Sequence, residues 1–413
     1  MTVERRMHLR ARQQSEPILV SPPLSSATSY PFDAAPFWWL WNAQQWHSAN
    51  PSRLRRRAFL MGIVAWLPLV VLTALQRGAG SVDAWFTPLL DVRILARYLI
   101  AIPVLMLGEP AYIARLSGIV RHFQRAGFVR RADTTRFTRT LARSHALLAN
   151  HFVELLIVLI AYALVVPFLS PELSRGNAGW QLQSATENPR LSSNAQWWLI
   201  VVSQPLFLIY VMRWCWRSVI WHRTLRCIGR LDLNLVPAHP DRAGGLLFVA
   251  QSIPALAPFG FALGAALAGA MAGSTSPRAL DLMTLAGAAG VLLGTLLAIA
   301  VGPLCWLSGP LRAAKLRGIV EYGELAVRIG RRFEARWLRE RRFVTSDALS
   351  SSDFSATIDL YSVVTGVYGV RPVPVKLRSL LKLMVATLVP FLPVLLEIVP
   401  AKDVLHVAAK LFF

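Results

Sequence analysis

Acidic side chains are scarce in this chain. Its 413 residues hold 22 Asp and Glu against 44 Lys and Arg, and charged residues of every kind amount to 16 %, where a soluble globular protein carries about a quarter. A soluble enzyme is excluded as the default. Cysteine is scarcer still: Cys215, Cys227 and Cys305 are odd in number, form no CxxC pair and fall in or beside apolar runs, which supports neither a disulfide framework nor a thiolate metal site. The chain contains no Walker loop, HExxH, GxSxG or DDxxD motif. No cofactor or metal is expected, and catalysis is not the expected role. Arg5, Arg6, Arg10 and Arg12 lead into a polar stretch with Ser and Pro instead of an apolar core, so no cleavable signal peptide is expected.

What the chain does have is apolar length, with 54 % hydrophobic residues and a mean hydropathy of +0.45. A helix needs about 20 mostly apolar residues to cross a hydrocarbon core roughly 30 Å thick. Seven segments qualify: Ala58–Leu75, Tyr98–Ala114, Leu155–Leu169, Leu191–Met212, Leu246–Gly273, Leu282–Leu307 and Leu383–Pro400. The expected fold is therefore all-α, a polytopic transmembrane helical bundle of about seven spans. It divides into a cytoplasmic tail with an interfacial aromatic segment (1–57), a six-span region with basic loops (58–307), a small cytoplasmic helical segment (308–381), and a last span with a periplasmic C-terminus (382–413).

Orientation follows from the basic residues, because Lys- and Arg-rich loops stay in the cytoplasm. Segments 1–57, 115–150, 217–245 and 308–381 hold 8, 8, 5 and 13 Lys and Arg, 34 in all, and the alternate loops hold 7. This places the N-terminus inside and the C-terminus outside. Residues 115–150 interleave eight Arg with Leu116, Ile119, Val120, Phe123 and Phe128 at helical spacing. A segment tethered to spans at both ends already lies beside anionic lipid, so lipid headgroups are the expected partner of these loops and nucleic acid is not.

Ionisable groups inside spans are costly and mark candidate sites. Glu109, His151, Glu154 and Arg213 all fall near the inner ends of spans two, three and four. They form either a salt-bridge network or a proton-relaying or metal-binding site, and the network is the favoured reading. Arg97 and Glu397 lie at comparable depth in spans two and seven and are a candidate intramembrane pair. In Ala238-His-Pro-Asp-Arg-Ala-Gly-Gly-Leu246, His239 and Asp241 form a ligand or proton pair, or else Asp241 merely caps the helix that follows, with Pro240 fixing the turn. Proline interrupts most spans, where it kinks the helix or frees carbonyls to line a pathway. Small residues every four positions (Gly260, Gly264, Ala268, Ala272; Gly290, Gly294) suggest the seam of a hairpin between spans five and six, or a homodimer contact.

The His-Pro-Asp-x-x-Gly-Gly-Leu string before span five, with Arg371-Pro-Val-Pro374 ahead of a proline-containing last span, resembles a group of bacterial multi-pass inner-membrane proteins with no assigned activity. The resemblance covers the C-terminal half and implies a bacterial inner membrane. Three roles follow for such a chain. A transporter or channel-type protein is first. A membrane enzyme or lipid-handling protein and a signalling or assembly scaffold are the alternatives.

Overall fold

The computed structural model describes residues 51–76, 91–165, 193–272, 282–335 and 352–398. The first thirty residues, the aromatic segment after Pro36 and the C-terminal fifteen lie outside them. In chain order the helices are α1 (Pro51–Gln76), α2 (Val92–Arg125), α3 (Thr134–Leu148), α4 (His151–Val165), α5 (Asn194–Ile228), α6 (Leu246–Ala272), α7 (Leu282–Val301), α8 (Ser308–Glu334), α9 (Ser352–Tyr368) and α10 (Leu377–Ile398). Six helical stretches are long and apolar enough to cross a membrane, and a seventh forms if α3 and α4, bent by 46° at their junction, count as one broken span. The all-α bundle of about seven spans is what the sequence leads one to expect. Among the described residues the extended backbone amounts to a single antiparallel bridge, Val129 to Leu233.

Three spans run well past their apolar windows; the stretch that starts at Leu282 continues through a 3₁₀ turn at Gly302–Leu307 into α8. Helix α2 continues to Arg125 instead of stopping at Ala114, and α5 continues to Ile228 instead of Met212. Ile220, Trp221 and Leu225 are buried in the extension of α5, so packing carries the helix where hydropathy alone ends it. Residues 115–150 split accordingly. Their first part completes α2, Gly127 turns the chain at φ 68°, and α3 buries Phe137, Ser144 and Leu148. Ser144 Oγ of α3 meets Thr224 Oγ1 of α5 at 2.9 Å.

Helix α2 packs against α1, α5 and α6. At the centre Trp214 of α5 stacks on Phe259 of α6 with ring centroids 5.4 Å apart, and Tyr112 of α2 tilts against Trp214 at 5.0 Å. Gly108 permits this approach, since a Cβ there would stand 2.4 Å from Cβ of Pro258. Outward-facing side chains are apolar too: Phe59, Ile63 and Leu67 on α1, Leu155 and Leu159 on α4, Met283 and Val291 on α7 and Leu392 and Leu396 on α10 are exposed. A bundle apolar on both faces is soluble only in lipid.

Proline inside a span leaves a carbonyl four residues earlier without its helical N–H, and in hydrocarbon that carbonyl needs another donor. Pro68 in α1 vacates Val64 O, which accepts Trp198 Nε1 of α5 at 3.3 Å. Pro205 in α5 vacates Val201 O, which accepts Tyr162 Oη of α4 at 3.0 Å. Ser203 Oγ adds a bond to Ala65 O at 2.7 Å. Neither proline thus leaves its vacated carbonyl without a donor.

The small-residue seam differs from expectation. Gly264 meets α10, and Gly260 meets both α10 and the hairpin partner α7: a Cβ at Gly260 would stand 2.4 Å from Thr387 Oγ1 and 3.4 Å from Leu296 Cδ1 of α7, and one at Gly264 2.3 Å from Thr387 O. Gly290 and Gly294 have nothing within 4 Å of the same position. A four-residue spacing identifies a face but not the neighbour that will use it.

Candidate functional site

Three groups of polar side chains stand out. The innermost ties α2, α4 and α5 together. Arg213 Nη2 lies 3.2 Å from Glu109 Oε1 and its Nη1 lies 3.3 Å from Glu154 Oε1. Arg217 donates to Glu109 Oε1 through Nη2 at 2.7 Å and Nε at 2.9 Å. All four side chains are at most 9 % exposed. Residues 213 and 217 are one helical turn apart and share a face, so α5 presents two guanidinium groups to two carboxylates and the set is neutral. Burial without pairing would be prohibitive for any one of them. Arg217 lay in an inner loop on hydropathy grounds. Its spacing of four from Arg213 was the available signal.

His151 takes no part in this network; it is exposed at the start of α4. Among the described residues no three His, Cys, Asp or Glu side chains are grouped to hold a metal. Beside the network a cleft opens between α4 and α5, lined by the apolar Leu148, Val153, Ile157 and Trp216 and by the polar Asn150, Glu154, Arg213 and Arg217.

The second group is the turn before α6. Asp241 Oδ1 accepts the N–H groups of Ala243 at 2.8 Å and Gly245 at 3.0 Å, and Oδ2 accepts that of Leu247 at 3.0 Å. Arg242, Gly244 and Gly245 have φ of 53°, 59° and 93°, a left-handed path that curls the backbone around the carboxylate. His239 Nδ1 is 2.8 Å from Asp241 Oδ1. The geometry is that of a cap. Burial pushes the Asp241 carboxyl up, but the three N–H donors and His239 outweigh it and hold it below the ordinary Asp range. A depressed pKa contributes stability that is complete above the unfolded value near 3.9 and is lost as pH falls through the folded value. Asp241→Asn should therefore cost about 1–2 kcal/mol at neutral pH and flatten the acid limb of a plot of Tm against pH. An unchanged acid limb in the variant would assign that titration elsewhere.

The third group joins α2 and α5 toward their N-terminal ends. Arg97 Nη1 and Tyr98 Oη of α2 both donate to Gln204 Oε1 of α5, at 3.1 and 2.8 Å, and the Arg97 guanidinium lies 5.9 Å from the centre of the Phe207 ring. Arg97 and Glu397 are not paired. Glu397 is exposed on α10, which packs on α6 and α7, whereas Arg97 faces α5. Equal depth on two helices does not bring their faces together. Gln204 and Arg97 both sit at π-helical irregularities, Leu95–Ala101 in α2 and Leu199–Ser203 just before Gln204 in α5, each followed within two residues by proline. Such bulges widen a helix by one residue per turn and recur at functional sites.

No family model, curated protein or solved structure matches the chain. The site is read from its own geometry.

Proposed function

We propose that this is a bacterial inner-membrane protein, N-terminus in the cytoplasm and C-terminus in the periplasm, that moves a solute through its helical bundle. The 34 to 7 division of basic residues supports the orientation. The transport reading is carried by one observation, the polar group at Arg97, where two irregular, proline-flanked helices meet inside the apolar span. Irregular helices facing one another at depth are the construction from which secondary transporters build their substrate sites. The basic cytoplasmic ends of the helices hold anionic lipid headgroups in this reading.

The cleft beside Arg213 and Arg217 supports a second reading, a lipid-handling protein, because its lining combines apolar side chains with two guanidinium groups, and an amphiphile carries both apolar and charged parts. Two measurements separate them. Uptake of labelled solutes by proteoliposomes, lost on Arg97→Gln, is expected for transport. Stoichiometric phospholipid or lipid precursor found by mass spectrometry in the purified protein, with no flux of any solute, would favour lipid handling instead.

A further inference from the structure

Arg97 is a cation within the apolar part of the bundle, and among the described residues it has no ion pair. Its depth is fixed by α1: a Cβ at Gly62 would lie 3.1 Å from Tyr98 O, and Gly62 is near the middle of the 24-residue span Ser52–Leu75. Among the described residues the side chains beside it are the neutral Tyr98, Gln204 and Phe207, and its buried Nε has no hydrogen-bond partner. Asp91, six residues earlier, caps the helix by accepting the N–H of Arg93 at 2.9 Å, and its charge also acts on the Tyr98 hydroxyl without pairing with Arg97. The contrast with α5 is instructive. Arg213 and Arg217 each have a carboxylate, while among the described residues Arg97 has no ion pair. An uncompensated charge at such depth is retained where something else neutralises it.

We infer that Arg97, Tyr98 and Gln204 form a recognition site for a monovalent carboxylate. This rests on the transport reading and names the class of its solute. Two donors, a guanidinium N–H and a phenolic O–H, already converge on a single oxygen, Gln204 Oε1. A carboxylate oxygen entering there takes that oxygen's place, its second oxygen accepts from the Nε edge of the guanidinium fork, and the displaced Gln204 amide turns to donate. One negative charge cancels one positive charge. A dianion would leave a net charge in the apolar span and is disfavoured.

The test is thermal stability of the delipidated protein in detergent, titrated with sodium acetate against sodium chloride at constant ionic strength. A saturable rise in Tm is expected. Gln204→Glu supplies the carboxylate from within, so this variant is expected to be at least as heat-stable as the parent and to lose the acetate response. Arg97→Lys keeps the charge but not the fork, and should weaken the response at least tenfold. No saturable shift in the parent overturns the inference, as does a shift that persists undiminished in Gln204→Glu or, should that variant not fold, in Arg97→Lys. A response to phosphatidylglycerol micelles but not to acetate overturns it in favour of a lipid headgroup. Acetate binding without flux of any carboxylate would leave the inference standing and overturn transport; flux of neutral or cationic solutes without an acetate response would do the reverse.

Discussion

Replacing Glu109 by Gln is expected to lower the stability of the bundle by about 3–5 kcal/mol, because one carboxylate oxygen receives both Arg213 and Arg217 and its neutralisation leaves two buried guanidinium groups with a single carboxylate in the network. Glu154→Gln should cost less, since Arg213 keeps Glu109. Replacing Glu154 and Arg213 together by Gln and Met should be milder than Arg213→Met alone, the signature of a coupled pair in a double-mutant cycle. Equilibrium unfolding in mixed micelles reads all four. A loss below about 1 kcal/mol for Glu109→Gln would mean that water reaches the network and screens it. An unchanged Tm for Glu154→Gln combined with loss of pH-dependent uptake would turn the network from a structural clamp into a proton path.

The second large effect is expected at Gly264. An added Cβ would lie 2.3 Å from the main-chain oxygen of Thr387, which cannot rotate aside as a side chain can, so α10 must move away from α6. Gly264→Ala should cost about 1–3 kcal/mol, as overpacking of a close-packed contact does, and Gly264→Leu should release α10 altogether. Gly290→Ala on α7 meets open space and should be neutral or slightly stabilising through helix propensity. Limited proteolysis between α9 and α10 reports the release. Equal sensitivity of positions 264 and 290 would show that α7 too has a partner, a second copy of the chain being the natural one.

Much of this architecture is legible in the sequence because lipid imposes strong patterns. Apolar runs locate the spans, and a lone acid within a run announces that a base must be near, which is how Glu109, Glu154 and Arg213 point to one another. Asp241 is readable as a cap because its distance from the following N–H groups is local. What is not legible is azimuth. Arg97 and Glu397, expected at one depth, face different neighbours, and the Gly260 and Gly264 stripe gives no sign that α10 will join α7 in covering it. Arg217 escapes hydropathy for another reason. Tertiary contacts of Ile220, Trp221 and Leu225 prolong α5 beyond its apolar window, and a charge then travels inward with the helix.

The donors that α5 lends to carbonyls of α1 bear on how the chain is made. Val64 O and Ala65 O belong to the first span, yet Trp198 and Ser203 come 134 and 138 residues later. At about 5–20 residues per second the ribosome takes roughly 7–27 s to cover that interval. Throughout it these two carbonyls are without the donors that α5 brings. Assembly of the bundle thus has a waiting period built into its chain order.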